Sequence, residues 1–328
     1  METLPTMLFS NDDIRLQVVK RDEETLAAIA ARSDDPPAPA KVRAVYDDIR
    51  FPPAPADRPY TYGSMVLSVD GKIAFHDDPQ GPLIAARNEA DPTGGRADFW
   101  VLNMLRAYAD CCIIGARTLQ AEPSGTSHIF CRELAAARTA EMGKKDSQPW
   151  NCVVSLDGQD IPLDHMLFDH SELKPMIATS PEGGRYVEAH FKKPLRTIGP
   201  YVGKSQVDPE KVRRQFVELG DALPLIVTGS GSRTDSEALL YILRLWGARR
   251  ACIESPQYLW HLVGRAALDE FFVNYSSVFA GGTIALGNHG PFSVDDHPHS
   301  RFLSVAVHRN GFIFTRQQLI YGLKRSSI

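Results

Sequence analysis

Short apolar runs recur along this chain, and most of them end on a small or polar residue. The first run is Tyr60–Leu67, which follows Pro59 and ends at Ser68-Val69-Asp70-Gly71-Lys72. Proline has no hydrogen-bond donor for a ladder, so it can start a strand but not lie inside a central one. Met65-Val66-Leu67 is apolar on both faces, as in a covered sheet. The pattern predicts a buried strand that ends in a polar Asp-Gly turn.

Later runs predict further strands by the same pattern. They are Cys111–Gly115, Asn151–Ser155, Lys174–Thr179, Arg196–Ile198, Leu225–Ser232 with its polar end, Arg250–Glu254, Phe271–Tyr275, and a closing hairpin of Leu303–His308 and Gly311–Thr315. Helical spacing and end signals predict helices between them. These are Glu23–Arg32 capped by Asp22, a helix that Asp98 caps and that ends near Ala109, Arg132–Glu141, Pro209–Leu219, Glu237–Trp246 stopped by Gly247, and Pro256–Val263.

The recurring order is strand, polar turn and helix. This order is typical of an α/β fold with a mostly parallel central sheet, covered by helices on both faces. The closing hairpin adds an antiparallel end to that sheet. We therefore predict a three-layer α/β/α domain with a mostly parallel sheet and an antiparallel C-terminal hairpin.

Residues 1–57 have a different character from the rest and are predicted to form an N-terminal extension. Two proline-rich stretches, Ser33–Pro39 and Phe51–Ala56, indicate stiff, extended spacers. We expect the extension to wrap the main domain, residues 58–328, or to help it dimerise. No chemistry is expected there.

Composition excludes several classes of function. The 328 residues carry a net charge of −4 with 43% hydrophobic residues, so no basic surface for nucleic acid is evident. No apolar run is long enough to span a bilayer, and the N-terminus lacks the layout of a secretion signal. The five cysteines form an odd set without a Cys-x-x-Cys pair, which favours buried free thiols over a metal site. We expect a cytoplasmic protein with a small-molecule partner.

The predicted strand ends collect small, hydroxylated or acidic residues. They are Ser68, Asp70, Gly115, Thr118, Ser155, Ser230 and Glu254. Ligands of open α/β sheets bind at such ends. No nucleophile elbow, zinc-binding helix or zinc-deaminase motif is present, so the chemistry is expected to come from a bound cofactor. Plainer roles stay open: an ordinary Asp-Gly turn, a helix-capping Thr118, and an Arg106 that complements a helix dipole.

Several blocks, in order, resemble the riboflavin-biosynthesis pyrimidine reductase family. The blocks are Arg58-Pro59-Tyr60 with Met65–Ala74, Leu105–Glu122, Val153-Val154-Ser155, Glu254, Ala267–Glu270 and Ala280-Gly281-Gly282. Each block is weakly specific by itself, whereas the ordered set is strong. The resemblance runs from about Arg58 to the end of the chain and implies a dihydrofolate-reductase-like fold, a homodimer, and hydride transfer from NADPH.

The resemblance also implies roles for individual residues. The NADPH site would include Val66, Gly115, Thr118, Glu122, Ser155, Ser255, Pro256, Gln257, Tyr258 and Leu259. The substrate would contact Ser64, Ser68, Arg106 and Glu254, with Arg106 reaching the phosphate of the ribose arm. Asp70, in a mobile loop over the nicotinamide, and Glu254, beside the ribose, would be the catalytic residues. No metal is implied.

Two positions depart from the family pattern. Ser64 stands where many relatives have a substrate-contacting lysine, and Ser255-Pro256 stands where most have two glycines. Glycines there let a helix N-terminus approach a pyrophosphate, whereas proline removes a donor. The alternatives are therefore a reductase of another pyrimidine or pteridine-like substrate, or a relative that binds ligand without turnover.

Overall fold

A computed structural model describes residues 3–287 and 290–323. Its strands are β1 Gln17–Arg21, β2 Tyr60–Ser68, β3 Cys111–Gly115, β4 Trp150–Val154, β5 Pro175–Thr179, β6 Leu195–Tyr201, β7 Leu223–Thr228, β8 Arg250–Ile253, β9 Glu270–Ser276, β10 His299–His308 and β11 Phe312–Ile320. Its α-helices are α1 Asn11–Ile14, α2 Glu23–Arg32, α3 Ala40–Val45, α4 Leu83–Ala86, α5 Gly94–Tyr108, α6 Ala116–Ala121, α7 Arg132–Ala140, α8 Pro181–His190, α9 Pro209–Val217, α10 Ser236–Trp246 and α11 Pro256–Gly264.

All the strands of the described residues join one sheet of 11 strands. Their spatial order is β1-β10-β11-β9-β2-β8-β3-β4-β5-β7-β6. Pairing is parallel from β9 through β6 and antiparallel among β1, β10, β11 and β9. The predicted fold class is therefore confirmed: a mostly parallel sheet with an antiparallel hairpin at its C-terminal end.

Alternate side chains of the strands face two helical layers. Cys112 of β3 packs on the side of α1, α3, α5 and α7, whereas Ile113 packs on the side of α9, α10 and α11. A third cluster, on the same side as Cys112, joins α6 and α8 to the strands from β3 to β7. All five cysteines are free and buried, as predicted.

The N-terminal extension belongs to the same core as the main domain. β1 pairs with β10 and so adds an edge strand that was not predicted. Phe51 is fully buried and stacks on Tyr62 of β2, with ring centroids 4.8 Å apart. Asp35, in the proline-rich stretch, pairs with the buried Arg250 at 2.9 Å. The extension therefore completes the sheet and covers the amino ends of the central strands.

Helix α5 begins at Gly94, so the prediction that Asp98 caps this helix was wrong. Asp98 lies in the second turn of the helix, and its side chain accepts a hydrogen bond from Asn274 of β9. Gly94 packs against the ring of Phe312, and a Cβ atom on Gly94 would overlap that ring. Gly94 thus lies in the helix at a point where the closing hairpin leaves no room for a side chain.

Other predicted helix signals agree with the structure. Asp22 accepts a hydrogen bond from the backbone of Thr25 and caps α2. Gly247 ends α10 with a φ of 117°, a left-handed conformation that favours glycine. Within the described ranges, no helix is long and apolar enough to cross a membrane. The homodimer and the cytoplasmic location stay predictions.

Candidate active site

The carboxyl ends of four parallel strands lie side by side at one edge of the sheet. They belong to β2, β8, β3 and β4, in that spatial order. Neighbouring strands are about 4.8 Å apart, so these four ends span about 14 Å. Although β2 is central, its segment Ser64–Leu67 is half-buried, whereas the preceding residues are buried. This half-buried segment leaves the edge of the sheet open to a ligand, and we refer to this edge as the cleft.

Glu254 directly follows β8, and its carboxylate forms a two-armed ion pair with Arg106 of α5. Arg106 Nε lies 2.9 Å from Glu254 Oε1, and Nη2 lies 2.7 Å from Oε2. The side chains are only 7% and 10% exposed. Burial opposes the charge of Arg106, but attraction by Glu254 outweighs it, so the pKa of Arg106 is raised. The pair fixes the orientation of a carboxylate in the cleft.

Ser127 and His128 hold this ion pair in place. Ser127 Oγ donates a hydrogen bond to Glu254 Oε2 at 2.9 Å. The backbone carbonyl of His128 accepts one from Arg106 Nη1 at 2.8 Å. These bonds fix the orientation of both side chains of the ion pair.

The ring of His128 connects this loop to the N-terminal extension. Its Nε2 lies 2.9 Å from the carbonyl oxygen of Pro5, and its Nδ1 contacts the hydroxyl of Thr126. Burial lowers the pKa of His128 to about 4, so the ring is neutral near pH 7. A neutral ring that donates from Nε2 to Pro5 and accepts from Thr126 satisfies both contacts.

Asp98 occupies the far end of the cleft. It lies two turns before Arg106 on α5, about 12 Å away along the helix axis. Asn274 Nδ2 donates to Asp98 Oδ1 at 2.7 Å, and Asn274 is the register partner of Val66. Burial raises the pKa of Asp98 to about 6, although the bond from Asn274 partly opposes the shift. Asp98 is a polar group of the cleft that sequence reasoning assigned to a helix cap.

Glu122 contributes another carboxylate, just after α6. Burial raises its pKa, while the charge of Arg106 opposes that shift and the charge of Glu254 adds to it. These electrostatic effects place Glu122 within interaction range of the ion pair. The backbone of Gly81 also hydrogen-bonds to Glu122. The long loop after β2 therefore reaches over this part of the cleft.

Ser68 and Asp70 organise the turn that follows β2. Ser68 Oγ donates to Asp70 Oδ1 at 2.6 Å, and the backbone of Gly281 donates to Oδ2 at 2.8 Å. The bond from Ser68, together with backbone bonds, lowers the pKa of Asp70 to about 2. Gly71 adopts a φ of 75°. Asp70 is thus an ionised carboxylate that ties two loops together.

Two helices begin beside each other at the ends of β3 and β8. Gly115 is the residue before α6 and has no side-chain cap. Ser255 caps α11, since its Oγ accepts from the backbone of Tyr258 at 3.4 Å. A Cβ atom on Gly115 would lie 2.8 Å from Ser255 Oγ and 3.6 Å from Thr118 Oγ1. These three residues therefore crowd one point of the cleft wall.

Ser155 directly follows β4, one strand further along. Its hydroxyl donates to Asp160 and accepts from the backbone of Gly158 at 2.9 Å. Ser155 is buried, so these bonds fix the loop after β4.

The structure brings many of the expected site residues to this edge of the sheet. They are Ser64, Val66, Ser68, Arg106, Gly115, Thr118, Glu122, Ser155, Glu254 and Ser255. Pro256, exposed Gln257 and Tyr258 form the first turn of α11. Leu259 points away from the cleft, since it is buried against Gly63 on the opposite face of β2.

Sequence reasoning missed Ser127, His128 and Asn274. The first two lie in a loop without periodicity, and their only signal was a polar Thr-Ser-His triplet next to an apolar run. Among the described residues, no cluster of His, Cys, Asp and Glu could hold a metal ion.

Comparison with solved structures identifies the fold. A pyrimidine reductase-like protein from Corynebacterium diphtheriae aligns with a TM-score of 0.54 and 16% identity, over 81% of this chain and 94% of that one. RibD from Acinetobacter baumannii aligns with a TM-score of 0.51 and 16% identity, over 80% of this chain and 59% of that one. This chain therefore has the fold of the pyrimidine reductases, which confirms the resemblance noted in the sequence.

A third alignment is with a deaminase/5-amino-6-(5-phosphoribosylamino)uracil reductase from Thermotoga maritima. Its TM-score is 0.51 and its identity 13%, over 80% of this chain and 56% of that one. The chain thus spans little more than half of the two longer proteins. No protein-family model matches the chain. No curated protein matches its sequence either.

Proposed function

We propose that this protein is an NADPH-dependent reductase of a ribosylamino-pyrimidine in riboflavin biosynthesis. The observation that carries the proposal is the cleft at the carboxyl ends of β2, β8 and β3, where Arg106 holds the carboxylate of Glu254 in a fixed orientation. The fold shared with pyrimidine reductases supports the same conclusion. Open α/β sheets bind their ligands at this kind of edge.

The residues along this edge fit a dinucleotide cofactor. Gly115 has no side chain, and the uncapped first turn of α6 leaves backbone N–H groups free for an anion. Thr118 is half-buried beside it, and Ser155 directly follows the next strand, β4. A row of small and hydroxylated residues leaves room for an elongated ligand and offers it hydrogen bonds. In this proposal Val66, Gly115, Thr118, Glu122 and Ser155 hold NADPH.

The residues of the chain position the substrate and exclude water. NADPH held by these residues would supply the hydride for reduction at C1′ of the ring-opened ribosyl group. Glu254 accepts hydrogen bonds from the ribose arm, and Ser127 with Arg106 keeps its carboxylate from turning. Asp70, whose pKa is lowered to about 2, stays ionised and closes the turn over the reacting end. Such preorganisation supplies much of the rate when no residue forms a covalent bond to the substrate.

Two neighbouring residues favour a second candidate, a protein that binds a related ligand without turnover. The side chain of Ser255 fills the space between the ends of β3 and β8, and Pro256 removes a backbone donor from the first turn of α11. Both features reduce what this helix can offer to a pyrophosphate. Substrate-dependent oxidation of NADPH separates the two candidates, because any turnover excludes the second.

The first experiment is a titration of NADPH and of NADH into the pure protein, followed by fluorescence. The proposal expects saturable binding of at least one nucleotide. T118V should weaken that binding about tenfold, because it removes the hydroxyl that bonds to the nucleotide at a tightly packed point of the cleft wall. T139V is the matched control, since Thr139 is exposed on α7, away from the cleft. Binding of neither nucleotide at millimolar concentration would refute the proposal.

A further inference from the structure

Asp98 is a carboxylate of the cleft that the proposed mechanism leaves without a task. It is half-buried, and its Oδ1 accepts a hydrogen bond from Asn274 Nδ2 at 2.7 Å. Within the described part of the chain, no hydrogen bond to Oδ2 is found, and no lysine or arginine forms an ion pair with the carboxylate. One oxygen of Asp98 is thus left for a partner from outside the chain.

The charge of this carboxylate is not balanced by a cation. Burial raises the pKa of Asp98 to about 6, and among the described residues only the bond from Asn274 opposes the shift. Neither Lys72, in the turn after β2, nor Arg106, two turns further along α5, contributes to it. A carboxylate in such surroundings is stabilised by N–H donors that reach both of its oxygens. Asp98 has one such donor, and a ligand can supply the others.

The position of Asp98 in the sheet indicates the size of that ligand. Its partner Asn274 is the register partner of Val66 on β2, whereas Glu254 follows β8, on the other side of β2. Neighbouring strands are about 4.8 Å apart, so about 10 Å separate the β9 side of the cleft from its β8 side. Val66 lies between the two sides and is half-buried, which leaves an apolar floor for a ring. The space therefore fits one heterocyclic ring whose sugar arm extends towards Glu254.

We propose that Asp98 binds the pyrimidine ring through two adjacent N–H groups, one in the ring and one on an amine at C2, and so selects a 2-aminopyrimidinone over a uracil. This inference rests on the proposed function and specifies the ring of its substrate, with the phosphoribosyl arm left at the end of Arg106 and Glu254. A carboxylate accepts two parallel N–H bonds well. The C2 carbonyl of a uracil would instead place a second acceptor against it. The product of the reduction then keeps its amine at C2.

The test compares two ligands that differ only at C2 of the ring: 2,5-diamino-6-ribitylaminopyrimidin-4-one 5′-phosphate and 5-amino-6-ribitylaminouracil 5′-phosphate. Binding of each to the unmodified protein is measured by isothermal titration calorimetry without oxygen, with and without saturating NADPH. We expect the 2-amino ligand to bind at least about tenfold more tightly, because it donates to Asp98 where the uracil presents a carbonyl oxygen. Equal or tighter binding of the uracil overturns the inference, and so does binding of neither ligand.

A variant tests whether Asp98 is the origin of the preference. D98N keeps an oxygen that accepts from Asn274, but its amide nitrogen is a donor and cannot accept from the ligand. The preference for the 2-amino ligand should therefore fall about tenfold, to near equality. D221N is the matched control, because Asp221 is exposed in the turn before β7, at the opposite edge of the sheet, and should leave the ratio unchanged. An unchanged ratio in D98N also overturns the inference.

The outcomes for the two proposals are distinguishable. Saturable NADPH binding and turnover with a preference for the uracil ring would contradict the inference and leave the proposed function intact. Absence of NADPH binding would contradict the proposed function, whatever the ratio of the two pyrimidine ligands. The comparison of ligands on the unmodified protein remains decisive even if D98N fails to fold.

Discussion

Two buried arginine–glutamate pairs lie at opposite ends of the central strands, and they differ in what surrounds them. The core pair joins Arg316 of β11 to Glu270 of β9, at 2.7 and 3.0 Å. The cleft pair joins Arg106 to Glu254, with nearly the same two-armed geometry. The side chains of the core pair are 3% and 0% exposed, against 7% and 10% in the cleft. The two pairs differ mainly in the groups that surround them.

Aromatic rings and the N-terminal extension close the core pair. The Arg316 guanidinium lies 5.1 Å from the ring centroid of Phe51 and donates to the carbonyl of Arg50 at 2.6 Å. Tyr60 Oη donates to Glu270 Oε1 at 2.8 Å. The cleft pair instead has a polar loop and further carboxylates beside it, and β2 is half-buried next to it. The same ion-pair chemistry thus serves packing at one end and ligand orientation at the other.

The largest expected effect comes from breaking the core pair. E270A leaves a buried arginine without its carboxylate, and this should cost about 3–5 kcal/mol of unfolding free energy. Urea unfolding followed by circular dichroism measures the loss. R265A is the control, because Arg265 belongs to an exposed pair and its loss should cost less than about 1 kcal/mol. A loss from E270A as small as that of the control would show that the core pair is not a stabilising element.

Removal of the ring that covers the core pair should come next. F51A deletes a fully buried side chain that stacks on Tyr62 and lies over Arg316, so we expect a loss of about 3 kcal/mol. The measurement is the denaturant midpoint. If the extension is only an appended arm, F51A will unfold at the midpoint of the unmodified protein, and the view of a shared core fails.

Neutralising the cleft carboxylate should affect stability less than either change. In E254Q, Arg106 keeps its bond to the carbonyl of His128, and the amide oxygen of the glutamine still accepts a hydrogen bond from it, so a loss of about 1–2 kcal/mol is expected. Turnover should fall at least about tenfold, since the oriented acceptor is altered. S127A is the companion variant and should retain most of the stability. Severe unfolding of E254Q with unchanged turnover in S127A would mean that the two pairs do not differ in role.

The smallest effect should depend on pH. Burial raises the pKa of Asp98 to about 6 from an ordinary value near 4, so the folded protein binds a proton more tightly than the unfolded chain. The contribution of Asp98 to stability is therefore present below pH 4 and is lost as the pH rises through about 6. D98N, which keeps an oxygen for Asn274, should stabilise the protein by about 1–2 kcal/mol at pH 7.5 and hardly at all at pH 4. Equal effects at both pH values would contradict this.

The sequence predicted the elements that local chemistry specifies and missed those that depend on distant contacts. Tyr60–Leu67 was recognisable as a strand, and Asp22 and Gly247 as helix ends, because the signals lie within a few residues. β1 could not be predicted, since Gln17–Arg21 has no alternation of apolar and polar residues and is mostly exposed, and it is a strand because β10 lies beside it.

The same limit applied to the candidate site. Strand ends located Glu254 and Thr118, because parallel strands bring their carboxyl ends to one edge. The pairing of Arg106 with Glu254 joins residues 148 apart in sequence, and no local pattern encodes it. The prediction for Asp98 was wrong for the same reason. Its partner Asn274 lies on β9, and the ring that packs on Gly94 belongs to Phe312 of β11, so both are distant in sequence.

The short strand β1 also protects the protein from association with itself. Without it, β10 would be the outermost strand and would present the unpaired backbone of an apolar stretch, Val305–Val307, to any passing chain. β1 covers that backbone and then makes a poor template itself, because its register is interrupted between Val18 and Lys20 and it ends in two basic residues. β1 thus protects the edge of the sheet against edge-to-edge aggregation.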